Sequence, residues 1–193
     1  PVLLTAEGTV WDSLAIAEFL AESVPELWPI EPFARAQARS ISAEMHSGFQ
    51  ALRQQMPMNV RASGRHVALT AALEADIARI VDIWETCRRE HGRQGPWLFG
   101  RWSIADAMYA PVVTRFVTFG VALDDDARAY VDAVMALPRK YREAVYLHYY
   151  EGYSVREIAS LLGQSESAVS AHLSRGRKSL RTTLGGDLYE QRV

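Results

Sequence analysis

The sequence of 193 residues has one cysteine, Cys87, which excludes an internal disulfide and favours a reducing compartment. No apolar run approaches the ~18 residues that span a bilayer, and no basic segment with a cleavage site directs export. The histidines and the cysteine show no metal-binding spacing, and a Gly-rich phosphate loop is missing. We therefore expect a soluble, cytoplasmic protein with no membrane partner, no metal and no catalytic residue of its own.

The remaining composition is that of a globular protein, with 49% hydrophobic and 23% charged residues, which excludes a disordered chain. The net charge of −2 is unevenly spread. Residues 139–193 contain nine Lys and Arg against six Asp and Glu, whereas residues 1–138 contain twelve against seventeen. This asymmetry indicates that only the C-terminal part binds a polyanion.

Apolar residues recur at helical spacing along nearly the whole chain, which predicts an all-α fold. The expected helices cover residues 12–24, 31–56, 67–91, 104–117 and 124–136. Ser103 and Asp106 predict a capping box at the start of the fourth helix. Only the first ten residues look extended, with a turn at Glu7-Gly8, so we expect a short β segment there.

Residues 137–184 carry the pattern of a helix-turn-helix. A helix is expected over 139–150, and Ser154 with Glu157 predicts a capping box on the short helix that follows. Gly163, Gln164 and Ser165 predict a tight turn before a last helix from Glu166 to about Leu180. The apolar residues expected inside this unit are Ile158, Ala159, Leu162, Val169, Leu173, Gly176 and Leu180. The alternative is a helical pair with a solvated basic face and no DNA-binding role.

The segment LPRKYREAVYLHYYEGYSVREIASLLGQSESAVSAHLSRGRKSL resembles region 4 of bacterial RNA polymerase sigma factors, most of all the extracytoplasmic-function type. The resemblance implies a helical module that reads the −35 promoter element in double-stranded DNA and docks on the β flap of the polymerase core. It implies that Glu166, Ser167, Ser170, Ala171 and Ser174 approach bases. Phosphate contacts are expected from Arg175, Arg177, Lys178 and Arg181.

Two features depart from that family. Many members have basic residues where this chain has Ser170, Ala171 and His172, so the centre of the last helix is less basic. No segment resembles the part of a sigma factor that melts the −10 element and grips the polymerase. The sequence therefore does not predict a complete sigma factor.

Residues 1 to about 137 resemble bacterial glutathione S-transferases, on the segments PVL, VWDSLAIAEFLAE, AEMHSGFQALRQQMPMN and PWLFGRWSIADAMYAPVVTRF. The resemblance implies that Pro1, Asp12 and Ser13 are the remnant of a glutathione site, which makes glutathione the one ligand to consider as a cofactor. The residue that activates glutathione in that family belongs to a strand and helix that this sequence lacks. Cys87 and His46 are expected to be structural, His46 as a hydrogen-bonded residue between helices.

The two resemblances divide the chain into a β remnant (1–11), a transferase-like helical domain (12–136), a sigma region 4-like domain (137–184) and a tail (185–193). The change from one resemblance to the other falls within residues 134–141, and no Gly, Ser or Pro-rich linker separates the two parts. This is the pattern of a chimera joined at a short sequence that both families share. The favoured function is promoter-directed DNA binding without catalysis. The alternative is a truncated glutathione S-transferase-like protein, so enzyme activity stays open. Apolar surface left uncovered on the helical domain predicts a homodimer or poor solubility.

Overall fold

The computed structural model describes residues 1–136 and 153–183, with side chains up to Gly176 in the last helix. This part of the chain contains eight α-helices and two short strands, which confirms the prediction of an all-α fold. The chain divides into two compact units, residues 1–134 and residues 135–193. The helix expected over 139–150 and the tail at 185–193 lie outside the described residues.

The first unit opens with a β-hairpin of β1 (Val2–Leu4) and β2 (Thr9–Trp11), paired antiparallel. The Thr5 hydroxyl closes the turn by accepting hydrogen bonds from the N–H groups of Glu7 (3.2 Å) and Gly8 (3.1 Å). Side chains alternate across the two strands, so one face of the hairpin carries exposed apolar residues. Helix α1 (Ser13–Ser23) follows directly.

The prediction of a single helix over residues 31–56 is wrong, because the structure has two helices there, α2 (Pro32–Ser47) and α3 (Gln50–Gln55). The break falls at Phe49, whose backbone is left-handed with φ 57° and ψ 48° and whose side chain is buried. Burial of the ring offsets the backbone strain, which costs about 1–2 kcal/mol for a non-glycine residue. The new helix start is stabilised by Asp76, whose carboxylate accepts a hydrogen bond of 2.9 Å from the Leu52 N–H.

The third expected helix starts later than the pattern indicates. Helix α4 spans Ala71–His91 rather than 67–91, because the Thr70 hydroxyl accepts a hydrogen bond of 3.3 Å from the Leu73 N–H and caps the first turn. Leu69 therefore lies before the helix and is exposed. Helices α5 (Ile104–Phe119) and α6 (Asp125–Met135) complete the unit close to their expected bounds.

The core of the first unit is centred on the fully buried Trp84 of α4. Its ring lies 6.1 Å from Tyr109 and 5.2 Å from Phe116, both on α5, and 5.0 Å from Tyr130 on α6, measured between centroids. These aromatic contacts join three helices around one side chain. No helix in the described ranges is long and apolar enough to cross a membrane.

Asp106 is a buried carboxylate at the start of α5. It accepts hydrogen bonds from the N–H groups of Ser103 (2.8 Å) and Leu98 (3.1 Å), and it forms a capping box with Ser103. Burial raises the pKa of Asp106 to about 6, and the hydrogen bonds to the carboxylate only partly offset this rise. A charge is therefore held inside the first unit at neutral pH.

This buried carboxyl makes the first unit more stable in mild acid. An Asp in an unfolded chain has a pKa of about 3.9. Between about pH 4 and pH 6, Asp106 is therefore protonated in the folded chain and ionised in the unfolded chain. The free energy of unfolding falls as the pH rises through this range, because the folded chain must release this proton. We compare the free energy of unfolding of the wild type with that of Asp106→Asn. The wild-type value minus the variant value should be roughly 2–3 kcal/mol larger at pH 4 than at pH 6. Urea unfolding followed by tryptophan fluorescence measures it, because all five tryptophans lie within the first 102 residues. A difference that does not vary with pH would contradict the assignment.

Candidate nucleic-acid interface

Residues 153–183, the long described segment of the second unit, contain two helices joined by a three-residue turn. Helix α7 spans Val155–Leu162 and helix α8 spans Glu166–Thr183. Ser154 and Glu157 form a capping box at the start of α7, with the Ser154 N–H donating to Glu157 at 2.8 Å and the Glu157 N–H donating to the Ser154 hydroxyl at 3.3 Å. The hydrogen bonds from Ser154 lower the pKa of Glu157, because they stabilise its charged form.

The turn is built on Gly163, which is left-handed with φ 62° and ψ 37°. The Gln164 N–H donates to the Ala159 carbonyl at 2.9 Å and the Gly163 N–H donates to the Ser160 carbonyl at 3.4 Å. This pair of bonds is a Schellman motif, which satisfies the last carbonyls of α7. Ser165 then caps α8, its hydroxyl accepting a hydrogen bond of 3.2 Å from the Ala168 N–H.

The two helices bury a small apolar core against each other. Ile158 and Ala159 from α7 pack with Val169 and Leu173 from α8, and Val155 and Leu162 cover this cluster from the side. Gly176 is buried one turn further along α8. The inward residues of α8 thus follow the spacing i, i+4, i+7, which leaves the opposite side of the helix to solvent.

Most of the residues expected to approach bases lie on the exposed side of α8. Arg175, the first of the residues expected to contact phosphates, lies on the same side. Glu166, Ser167, Ser170, Ser174 and Arg175 are exposed, whereas Ala171 is half-buried. The carboxylate of Glu166 and the guanidinium of Arg175 make no hydrogen bond or ion pair with any residue that the structure describes. The side chains of Arg177, Lys178 and Arg181 lie outside the described residues.

The sequence pattern had not singled out Arg156, which is exposed on α7. In helix-turn-helix proteins the first helix crosses the DNA backbone, so a cation on this helix is suited to a phosphate. The signal that could have found it was its place in the first turn of α7, two residues before the buried Ile158.

Of the residues expected to form a glutathione remnant, Asp12 has structural partners in the first unit. Asp12 has φ 77° and caps α1, because its carboxylate accepts hydrogen bonds from the N–H groups of Leu14 (2.9 Å) and Ala15 (3.1 Å). Its second oxygen lies 2.7 Å from Nε2 of His46 on α2. The backbone bond from Ala15 is the largest influence that lowers the pKa of Asp12. Ser13 is the first residue of α1, and Pro1 is exposed.

The first unit contains the one cysteine of the chain, and the structure describes its surroundings. Cys87 is buried in α4, and burial raises the pKa of its thiol to about 12, so a thiolate is disfavoured. No group of three or more His, Cys, Asp or Glu side chains that could hold a metal occurs within residues 1–136 and 153–183.

Comparison with known proteins finds similarity to two families. The family "Sigma-70, region 4" matches residues 127–180, and the family "Glutathione S-transferase, C-terminal domain" matches residues 67–136. The RNA polymerase sigma factor RfaY, described as probable, from Xanthomonas campestris pv. campestris is 42% identical over 60 residues. This alignment covers 31% of the chain and 15% of that protein's length. Both resemblances read from the sequence are confirmed.

The stability of the second unit depends on the left-handed turn residue. A Cβ atom added at Gly163 meets nothing within 4 Å, so Gly163→Ala should cost only the backbone strain, about 1–2 kcal/mol. Gly163→Asn should cost less, because Asn tolerates this conformation better. Hydrogen exchange measured by mass spectrometry in peptides covering α7 and α8 gives the loss of protection. Equal exchange in the alanine variant and the wild type would show that Gly163 does not limit opening of the turn.

Proposed function

We propose that the second unit binds double-stranded promoter DNA at the −35 element by placing α8 in the major groove. The observation that carries the proposal is the exposed face of α8, whose polar and charged side chains project from a helix-turn-helix in a region similar to sigma-70 region 4. A recognition helix needs such a face, with its first residues at the base edges. The capping box on α7, the Ser165 cap on α8 and the Schellman turn support the proposal, because they fix both helices before DNA binds.

The charges of α8 suit the two kinds of contact that DNA binding requires. Small polar side chains occupy the first turns, where a helix comes closest to base edges, and Arg175 follows one turn after Ser170 and Ala171. Arg175 and Arg156 are exposed cations that are suited to phosphates, which position the helix and supply affinity at low salt. We assign Arg177, Lys178 and Arg181 to the same role.

The proposed protein partner is the RNA polymerase core, with the second unit docking on the β flap, since region 4 of sigma factors is the part to which the chain is similar. The chain spans 15% of the length of the sigma factor that it matches. We therefore propose a promoter-binding accessory role, in the cytoplasm where promoter DNA is found, rather than initiation as a complete sigma factor.

Glutathione binding at Pro1, Asp12 and Ser13 is the weaker alternative. Both carboxylate oxygens of Asp12 already have partners, in the first turn of α1 and on His46. A glutathione ammonium group would have to compete with the His46 contact at 2.7 Å. We therefore assign Asp12 to positioning α1 against α2.

Replacing Arg175 should weaken DNA binding through the loss of one phosphate contact. With a duplex containing a −35 element, we expect Arg175→Ala to lower affinity by roughly tenfold near ~0.1 M salt and to reduce the salt slope by about 1. Arg101→Ala removes an exposed arginine from the first unit and serves as the matched control, with no change in affinity. Fluorescence anisotropy at several salt concentrations measures both. If the two variants bind alike, α8 is not the DNA-binding surface.

The first unit should form a homodimer through its exposed apolar surface. Large apolar side chains are exposed mostly near its N-terminus: Val2, Leu4, Trp11, Phe19, Leu20, Val24, Ile30 and Phe33. Exposed patches of this kind mark association sites. We expect light scattering coupled to gel filtration to give the mass of a dimer for the wild type and a monomer for Leu4→Ser combined with Trp11→Ser. A monomeric wild type at tens of micromolar would contradict the proposal.

A further inference from the structure

The recognition face of α8 contains a single acidic side chain. Glu166 is the first residue of the helix and is exposed, followed along the same face by the hydroxyl groups of Ser167, Ser170 and Ser174. Within the described part of the chain, its carboxylate has no hydrogen-bond or ion-pair partner. Among the described residues, the carboxylate therefore has no structural contact that a ligand on this face would have to replace.

An acidic side chain at this position is unfavourable for DNA binding in general. A duplex is a dense polyanion, and a carboxylate close to phosphates lowers the affinity for every sequence. A hydrogen bond to the carboxylate offsets this loss of affinity only where a base edge presents a donor. The position of Glu166 in the first turn of α8 puts it where recognition helices approach the bases.

The base edges of the major groove differ in what they offer to a carboxylate, which can only accept hydrogen bonds. Cytosine presents an amino group, a donor, whereas guanine presents two acceptors and thymine presents an acceptor beside a methyl group. Adenine has an amino donor next to an acceptor, so it suits an amide side chain better than a carboxylate. A glutamate therefore favours cytosine and repels guanine and thymine.

The neighbouring serines cannot supply the same selection. A hydroxyl group both donates and accepts, so Ser167, Ser170 and Ser174 can pair with either kind of base edge. The half-buried Ala171 offers only apolar contact. Because the first turns of α8 contain no Arg, Lys, Asn or Gln, the discrimination between bases through hydrogen bonds falls on Glu166, while Ala171 can contact only a thymine methyl group.

We propose that Glu166 sets the base preference of the second unit by selecting a cytosine in the major groove and rejecting guanine and thymine at that position. This inference rests on the proposed function, since it assigns the specificity of the same DNA-binding face. The DNA ligand would then be a duplex with a cytosine at one fixed position of the binding site.

The test is selection of the full chain on a library of randomised duplexes at low salt, followed by sequencing and by anisotropy on the four duplexes that differ at the selected position. For the wild type we expect a preference of about tenfold for cytosine over guanine. Glu166→Gln should shift the preference to adenine, and Glu166→Ala should bind all four duplexes alike and more tightly than the wild type binds guanine. Glu74→Gln makes the same charge change on the exposed surface of α4 and should keep the wild-type profile.

Three results would overturn the inference. A cytosine preference that persists in Glu166→Ala would assign selection to another residue. If the wild type shows no base preference and Glu166→Ala binds all four duplexes more tightly than the wild type does, Glu166 only repels DNA in general. A wild type that binds no duplex, while hydrogen exchange shows α7 and α8 to be folded, would remove the proposed function together with the inference.

Discussion

The left-handed turn at Gly163 is the constraint on which the proposed DNA-binding surface depends. It ends α7 at Leu162, and α8 begins at Glu166 after the three residues of the turn. This short connection brings Ile158 and Ala159 against Val169 and Leu173. Once those residues are buried, the helical spacing leaves Glu166, Ser167, Ser170 and Ser174 on the outer side. The chemistry of the exposed face is thus set by residues buried between the two helices.

The second unit was predicted well because its signals are local. Capping residues, a turn glycine and a stripe of apolar residues all lie within about 25 residues, and each indicates the same two helices. Apolar burial at Val169 and Leu173 follows directly from this pattern. The half-burial of Ala171 does not follow, because a residue beside the stripe is covered or uncovered by its neighbours in space.

The first unit was predicted less well where distant residues decide the outcome. Gly48 ends α2 and is a local signal of the break, but it does not indicate that a second helix follows at once. That helix starts beside the buried Phe49 ring and is stabilised by the Asp76 carboxylate of α4, which is 24 residues from Leu52 in the sequence. The partners of Asp12 are a similar case. The sequence does not show that the Asp12 carboxylate caps α1 and contacts His46, and its assignment to a glutathione site stays a prediction. Local patterns find helices, but they do not show which partner a carboxylate has in the folded chain.

Helix α6 shows how one apolar pattern can satisfy two families. Residues 127–136 match both the transferase family and the sigma region 4 family, so sequence similarity alone leaves the place of this helix open. Packing decides it, because Tyr130 lies 5.0 Å from Trp84 and Ala127 and Val131 are buried in the same unit. The unit boundary after Val134 agrees with this packing. Since a buried helix face needs only apolar residues at the right spacing, either family could supply it, and a join here preserves the core of the first unit.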